Sequence, residues 1–395
     1  MAKQNSKLTA KPLHIVQVGW DTTLLEFDAP SDSCDRQNLY AQLLEARRPG
    51  SRMTIVVLGA PRKSQRMHRD GIVVQPVFGR WSSVARLPAV LTRLDAEQEI
   101  SVIATQSPLE EGWASLFSAR GRCPVVAQVH YDMLSDEALP GGSKLRQQLG
   151  RARRSLALHL LPSYAAVRTV TPEMAKKILA RGARDARPVS VPILDLGKLL
   201  TLPIGKRQPR VLFVGRLAPE KNLLLWLDVA KRVCSQQPGV HFDIVGDGAL
   251  RPALEERTRQ LALDDRVTFH GARPRAALPE IYRQASVLLL TSNHEGFGRV
   301  LVEAMAAGLP VVSTRTAGAR EVLDDGEAGV LAPIGDALAL AEGVVNLLTV
   351  GNVRAAIIAA GRQRVVDRFE PITLAGQWVD MLIEAAERHT ARAPR

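Results

Sequence analysis

The segment Thr291 to Ser313 reads TSNHEGFGRVLVEAMAAGLPVVS. An apolar run, Ser286 to Ser292, leads into it, a glycine-bearing turn follows, and from about Arg299 to Ala307 the pattern turns helical. A strand that passes through a short turn straight into a helix is the building unit of a parallel α/β sheet, and such sheets bind ligands just outside the carboxyl ends of their strands. Gly296 and Gly298 let the backbone approach a ligand closely. The helix beyond them aims free N–H groups and the positive end of its dipole at the same place, which suits a phosphate or a diphosphate. Glu295 in the turn and Glu303 in the helix bracket this position, and carboxylates accept hydrogen bonds from the hydroxyls of a sugar or a ribose. On spacing alone, Arg299 and Glu303 at i,i+4 equally fit a surface ion pair, and Glu295 a solvated loop acid.

Two further turns of the same kind lie upstream. GRLAPEK, Gly215 to Lys221, follows the strand VLFVG and sets Arg216 and Lys221 on either side of a turn. Fixed cations there stabilise a departing diphosphate more as its charge grows, so they lower the transition state more than the ground state. The same residues also make an ordinary helix start, with Pro219 at the first position and Glu220 in the first turn. VGDGALRPAL, Val245 to Leu254, offers Gly246 and Gly248 for a base or ribose contact or for a simple tight turn. Arg251 stands where a G-x-G-x-x-G fingerprint needs a small residue, which disfavours nicotinamide and flavin.

The rhythm extends through the chain. Apolar, β-branched runs at Leu13 to Val18, Thr54 to Leu58, Gly71 to Val74, Ile100 to Ala104, Pro124 to Val129 and Ala165 to Val170 predict a doubly wound first half. Leu202 to Pro209 (LPIGKRQP) interrupts it, and a second series starts at Val211 with Phe242 to Gly246, Arg266 to Gly271, Ser286 to Ser292 and Pro310 to Thr314. We expect a first domain over 1–203, a second over 204–370, and a terminal helix in 371–395 that packs back on the first. The 395 residues suffice for two such domains without staples. Three cysteines lie far apart, which suggests neither a disulfide framework nor a zinc site. The N-terminal stretch is polar and basic, so a cytoplasmic location is expected.

A net charge of +12 attracts anions, including nucleotides, nucleic acid and acidic membranes. With aromatic residues at only 4%, a stacking platform for single-stranded nucleic acid is disfavoured, and no nucleic-acid partner is expected. SKLRQQLGRARRSLALHLLP, residues 143–162, combines leucines near helical spacing with five cations. It fits either a basic amphipathic helix resting on the inner face of an anionic membrane or a core helix with a solvated basic face.

The basic turn, the glycine turn and the E-x7-E pair Glu295/Glu303, in that order and followed by AGAREVLDDGEAGVLAP (Ala317 to Pro333), resemble the retaining glycosyltransferases of family four. The resemblance is close from Arg210 to about Pro333. It implies the GT-B fold: two Rossmann-like domains with parallel sheets that face across a cleft. It further implies a UDP- or GDP-sugar donor, with Gly215, Arg216, Lys221 and the backbone of Gly296, Phe297, Gly298 and Arg299 at the diphosphate. Val300 and Leu301 would lie beside it, Glu303 on the ribose and Glu295 on the sugar. No cofactor and no metal are implied. In the first half the resemblance is thinner: His130 in QVHYD matches the family's cleft histidine and is the catalytic candidate there, while Gly19 alone represents the usual glycine pair. The acceptor expected on this basis is a saccharide or a lipid-linked intermediate of surface polysaccharide or glycolipid synthesis. A non-catalytic nucleotide- or nucleic-acid-binding protein and a nucleotide-sugar epimerase on the same fold are the alternatives.

Overall fold

The computed structural model describes residues 11–26, 31–69, 71–130, 144–205 and 207–392. They divide into two compact units, one running to Pro192 and resuming at Ile372, the other Ile193–Pro371. The first unit holds strands β1 (His14–Gly19), β2 (Arg52–Ala60), β3 (Met67–Arg69), β4 (Ile72–Phe78), β5 (Val102–Thr105), β6 (Val125–Val129), β7 (Ala166–Thr169) and β8 (Ala186–Pro188). They form one sheet in the order β3-β4-β2-β1-β5-β6-β7-β8, parallel except for β3 against β4. Consecutive residues of one strand enter two separate cores: Ile15 and Val57 pack on one face, Val16 and Val56 on the other. A parallel strand covered on both faces must be apolar throughout, which is why these segments read as unbroken runs.

One of these cores is closed by the terminal helix Pro371–Arg392, whose Trp378 and Leu382 are fully buried. The Arg168 guanidinium lies 4.8 Å from the Trp378 ring centre and donates to Val189 O at 2.8 Å and Ser190 O at 2.7 Å, so a buried cation is satisfied rather than stranded.

The second unit contains β9 (Arg210–Val214), β10 (His241–Val245), β11 (Val267–Gly271), β12 (Val287–Leu290), β13 (Val311–Thr314) and β14 (Val330–Ala332), ordered β11-β10-β9-β12-β13-β14. Every pair in it is parallel. The helix Leu196–Leu200 belongs here, with Leu196 and Leu199 buried, so the division falls at Pro192 rather than in the polar stretch from Leu202. Strand order reverses between β9 and β12: the chain builds outward to β11 on one side and to β14 on the other. The switch point between these two strands marks the crevice at the sheet's carboxyl edge where open α/β sheets bind ligands.

The loop after β10 presses on the loop after β9 so closely that only glycine fits. A Cβ on Gly246 would stand 1.8 Å from Gly215 O, and one on Gly248 would stand 2.5 Å from Leu217 O. Gly246 also has φ of +140°, a conformation that glycine favours. Gly246→Ala is expected to destabilise the chain by about 1–3 kcal/mol, whereas Gly197→Ala, at an exposed position of the helix Leu196–Leu200 with open space around it, should change stability by less than about 1 kcal/mol. Urea denaturation of the two variants checks the contrast; equal effects would contradict the packing account.

Candidate functional site

β9 ends at Val214, and Gly215 to Lys221 carry the chain across the crevice into a single turn of 3-10 helix, Pro219–Lys221. Asn222 follows with φ of +45° and caps the helix Leu223–Gln236 through its side chain, which accepts from Leu225 N. β12 ends at Leu290, and Thr291 and Ser292 continue it as fully buried polar residues. Their burial has a reason in hydrogen bonding. Thr291 Oγ1 donates to the carbonyls of Lys221 and Asn222, at 3.1 and 3.0 Å, and Asn293 N donates to Glu220 O at 2.9 Å. The Asn222 amide donates to Asn293 Oδ1 at 3.0 Å.

Above these bonds Lys221 Nζ meets Glu295 Oε2 at 2.6 Å, and both side chains are only 15% exposed. Ser292 Oγ donates to the same carboxylate oxygen at 3.3 Å. Lys221 uses one of three ammonium protons on Glu295, which leaves it donors for a further anion. Arg216 behaves differently: it is 81% exposed and bonded to Glu220 at 3.1 Å, so it stands at the rim.

The glycine turn is held from below. Gly318 N donates to Glu295 O at 3.0 Å, and a Cβ on Gly318 would come within 2.6 Å of that oxygen and 2.8 Å of Phe297 N. Phe297 is buried and packs edge-on against Phe369, ring centres 5.6 Å apart. Gly298, at φ of +84°, turns the chain into the helix Arg299–Ala306. The first N–H groups of such a helix have no partner within it, and they open at the same carboxyl edge as Lys221.

Glu303 projects from this helix with a partner that sequence reading missed. Tyr282 is completely buried, and its hydroxyl donates to Glu303 Oε2 at 2.8 Å. Burial first, and then the neighbouring carboxylate, push the tyrosine well above its ordinary pKa, so it stays a donor. Arg299 lies 3.8 Å from the other carboxylate oxygen, so the i,i+4 pair is present as a loose contact beside a firm hydrogen bond. Leu301 is fully buried, and its N–H donates to Gly298 O, so its side chain belongs to the core. Val300 remains partly exposed. Gly246 and Gly248 have the packing role given above.

Gly19 ends β1 at the corresponding edge of the first sheet. The space its Cβ would take is filled by Gln106, whose Oε1 accepts from Trp20 N at 3.0 Å. The Trp20 indole donates to Glu111, a buried carboxyl whose pKa is raised by burial and which also accepts from Ser107 at 2.7 Å. No sequence motif announced this group. His130 directly follows β6, and burial, with the positive charges of Arg168 and Arg36, holds its pKa down to about 3. It is therefore a neutral imidazole at ordinary pH. Among the described residues no group of three or more His, Cys, Asp or Glu is gathered that could hold a metal ion.

Two family descriptions match the chain in succession: "Glycosyl transferase 4-like domain" over residues 37–193 and "Glycosyl transferases group 1" over residues 201–364. The 2-deoxystreptamine N-acetyl-D-glucosaminyltransferase of Niallia circulans is 32% identical over 174 residues, 44% of each chain. The lipopolysaccharide core biosynthesis glycosyltransferase LpsE of Rhizobium meliloti is 28% identical over 54% of this chain and 62% of its own. The chain spans about half the length of the first curated relatives it matches. Among solved structures, HepE of Anabaena in complex with UDP and glucose superposes with a TM-score of 0.70 at 19% identity, covering 94% of this chain and 100% of that one. These matches do not favour the epimerase or nucleic-acid alternatives.

The depressed His130 pKa has a consequence for acid stability. The unfolded chain takes up a proton on this residue near pH 6.5 and the native chain only near pH 3, so stability rises with pH across that window and is lost as pH falls through it. His130→Gln is expected to flatten this slope, measured by urea denaturation at about pH 4.5 and about pH 7. An unchanged slope would show that His130 titrates as a solvated residue.

Proposed function

The chain belongs to the family-four type of GT-B glycosyltransferases, and on that premise we propose that it moves a sugar from a UDP- or GDP-linked donor to an acceptor hydroxyl with retention of anomeric configuration. The observation that carries this reading is the close pairing of Lys221 and Glu295 between the loops that leave β9 and β12. A cation and an acid are fixed there beside a helix N-terminus, the three things a nucleotide diphospho-sugar needs at its reacting end.

As the bond between the anomeric carbon and the diphosphate oxygen breaks, both electrons pass to the oxygen. Lys221, already held in place, meets that growing charge with its remaining N–H donors. The first turn of the helix Arg299–Ala306 adds dipole and backbone donors, and Arg216 adds charge from the rim. Because these groups do not have to reorganise during reaction, their stabilisation is larger than the same groups would give in water. Glu295 receives the sugar hydroxyls on its free oxygen. Glu303, fixed on one side by Tyr282, offers its other oxygen to the ribose. The acceptor hydroxyl attacks from the face the diphosphate leaves, and its proton goes to the departing phosphate oxygen, so neither a protein nucleophile nor a metal ion is required. Neutral His130, at the end of β6 in the first unit, is able to donate or accept a hydrogen bond without adding charge. Similarity to LpsE supports an acceptor that is a saccharide or a lipid-linked intermediate of surface glycan synthesis.

Purified protein offered a panel of UDP- and GDP-sugars should release free sugar slowly from one of them. Lys221→Ala and Glu295→Ala should each lower that rate by about 100-fold or more. If no donor is hydrolysed, or if both variants hydrolyse it at the parent rate, the reading is wrong.

A further inference from the structure

The basic segment forms the helix Lys144–His159, and its leucines are not core; Ser143 lies outside the described residues. Leu145, Leu149 and Leu156 are 66%, 56% and 43% exposed, and Ala152 between them is exposed as well. At 3.6 residues per turn these four fall within an arc of about 60°. The helix meets the first unit along another side, through buried Gly150 and Ala157 and partly buried Leu158. A helix that meets its unit along one side and, among the described residues, presents an apolar stripe to water on another has an apolar face left over.

We propose that this face docks on the surface of an anionic lipid bilayer. The Lys144–His159 helix carries Lys144, Arg146, Arg151, Arg153 and Arg154 and no Asp or Glu. An apolar stripe on an acid-free, cationic helix is the composition that lies in the headgroup plane, with leucines in the acyl boundary and cations among lipid phosphates. Charge also decides against the nearest rival. A second copy of this chain would bring the same cationic helix against itself, in a protein with net charge +12, whereas an anionic leaflet attracts it. Among the described residues no single helix is long and apolar enough to cross a membrane. Arg153 is tied to Glu110 on the neighbouring helix Glu110–Ala119, which fixes the helix on the first unit as it docks. The link to function rests on the transferase reading, since docking would bring a lipid-linked acceptor to the enzyme; the docking itself does not.

Co-sedimentation of the full chain with phosphatidylcholine vesicles, with and without phosphatidylglycerol, tests the proposal. The chain should pellet with the anionic vesicles, less so at high salt. The triple variant Leu145→Gln, Leu149→Gln, Leu156→Gln should bind them at least about tenfold more weakly while it keeps donor hydrolysis and thermal stability. Binding unchanged in the triple variant overturns the proposal, as does a parent chain that stays in the supernatant. So does an effect of the triple variant seen only as a loss of self-association in the ultracentrifuge. Loss of donor hydrolysis in the parent chain would strike the proposed reaction instead and leave the vesicle result standing.

Discussion

Lys221 and Glu295 meet at 2.6 Å between two loops that leave neighbouring strands, and neither side chain is more than 15% exposed. An ion pair so withdrawn from water is costly to split, because the partner left behind would keep its charge without its solvent. The pair thus fixes the spacing of the two loops. Hydrogen bonds from Thr291 and Asn293 to the carbonyls of Lys221, Asn222 and Glu220 fix their height. Gly318 carries the constraint to the helix Ala317–Val322, where only a residue without a side chain lets the Glu295 carbonyl approach. A charged turn is in this way set in place before any ligand arrives, which is the condition for electrostatic stabilisation without reorganisation.

Much of the fold is legible in the sequence for one reason. Parallel strands buried on both faces appear as unbroken apolar runs, and those at Leu13, Thr54, Pro124, Phe242 and Pro310 all correspond to strands. The strands that escaped reading, Met67–Arg69, Ala186–Pro188 and Val330–Ala332, are three residues long and lie at sheet edges, where one side meets solvent and no run develops. LPIGKRQP reads as a linker, whereas the compact units divide at Pro192. The structure counts the buried Leu196 and Leu199 before that stretch with the second unit, and local composition does not record which core a short helix joins.

At the site, glycines and charges gave the position, while partnership stayed hidden. The E-x7-E spacing marks Glu295 and Glu303, but nothing near either in sequence points to Lys221 as the first one's partner or Tyr282 as the second's, since both contacts depend on tertiary packing. Tyr282 sits in a short helix, Leu278–Gln284, that reads as ordinary structure. Leu301, which the resemblance sets beside the diphosphate, has a buried side chain because the period of the helix turns it into the core. In the first unit Gly19 offers one glycine where the resemblance leads one to expect two, and Gln106, Trp20 and Glu111 occupy that edge with a hydrogen-bonded set of their own.

Hydrogen exchange of the intact chain with and without UDP or GDP tests the central claim most directly, because amide protection reports which backbone closes on a diphosphate. One of the two nucleotides should slow exchange in peptides covering Gly215–Lys221 and in those covering Glu295–Ala306, both together. Protection of one without the other, or of neither at saturating nucleotide, would mean that the two loops do not form one binding site.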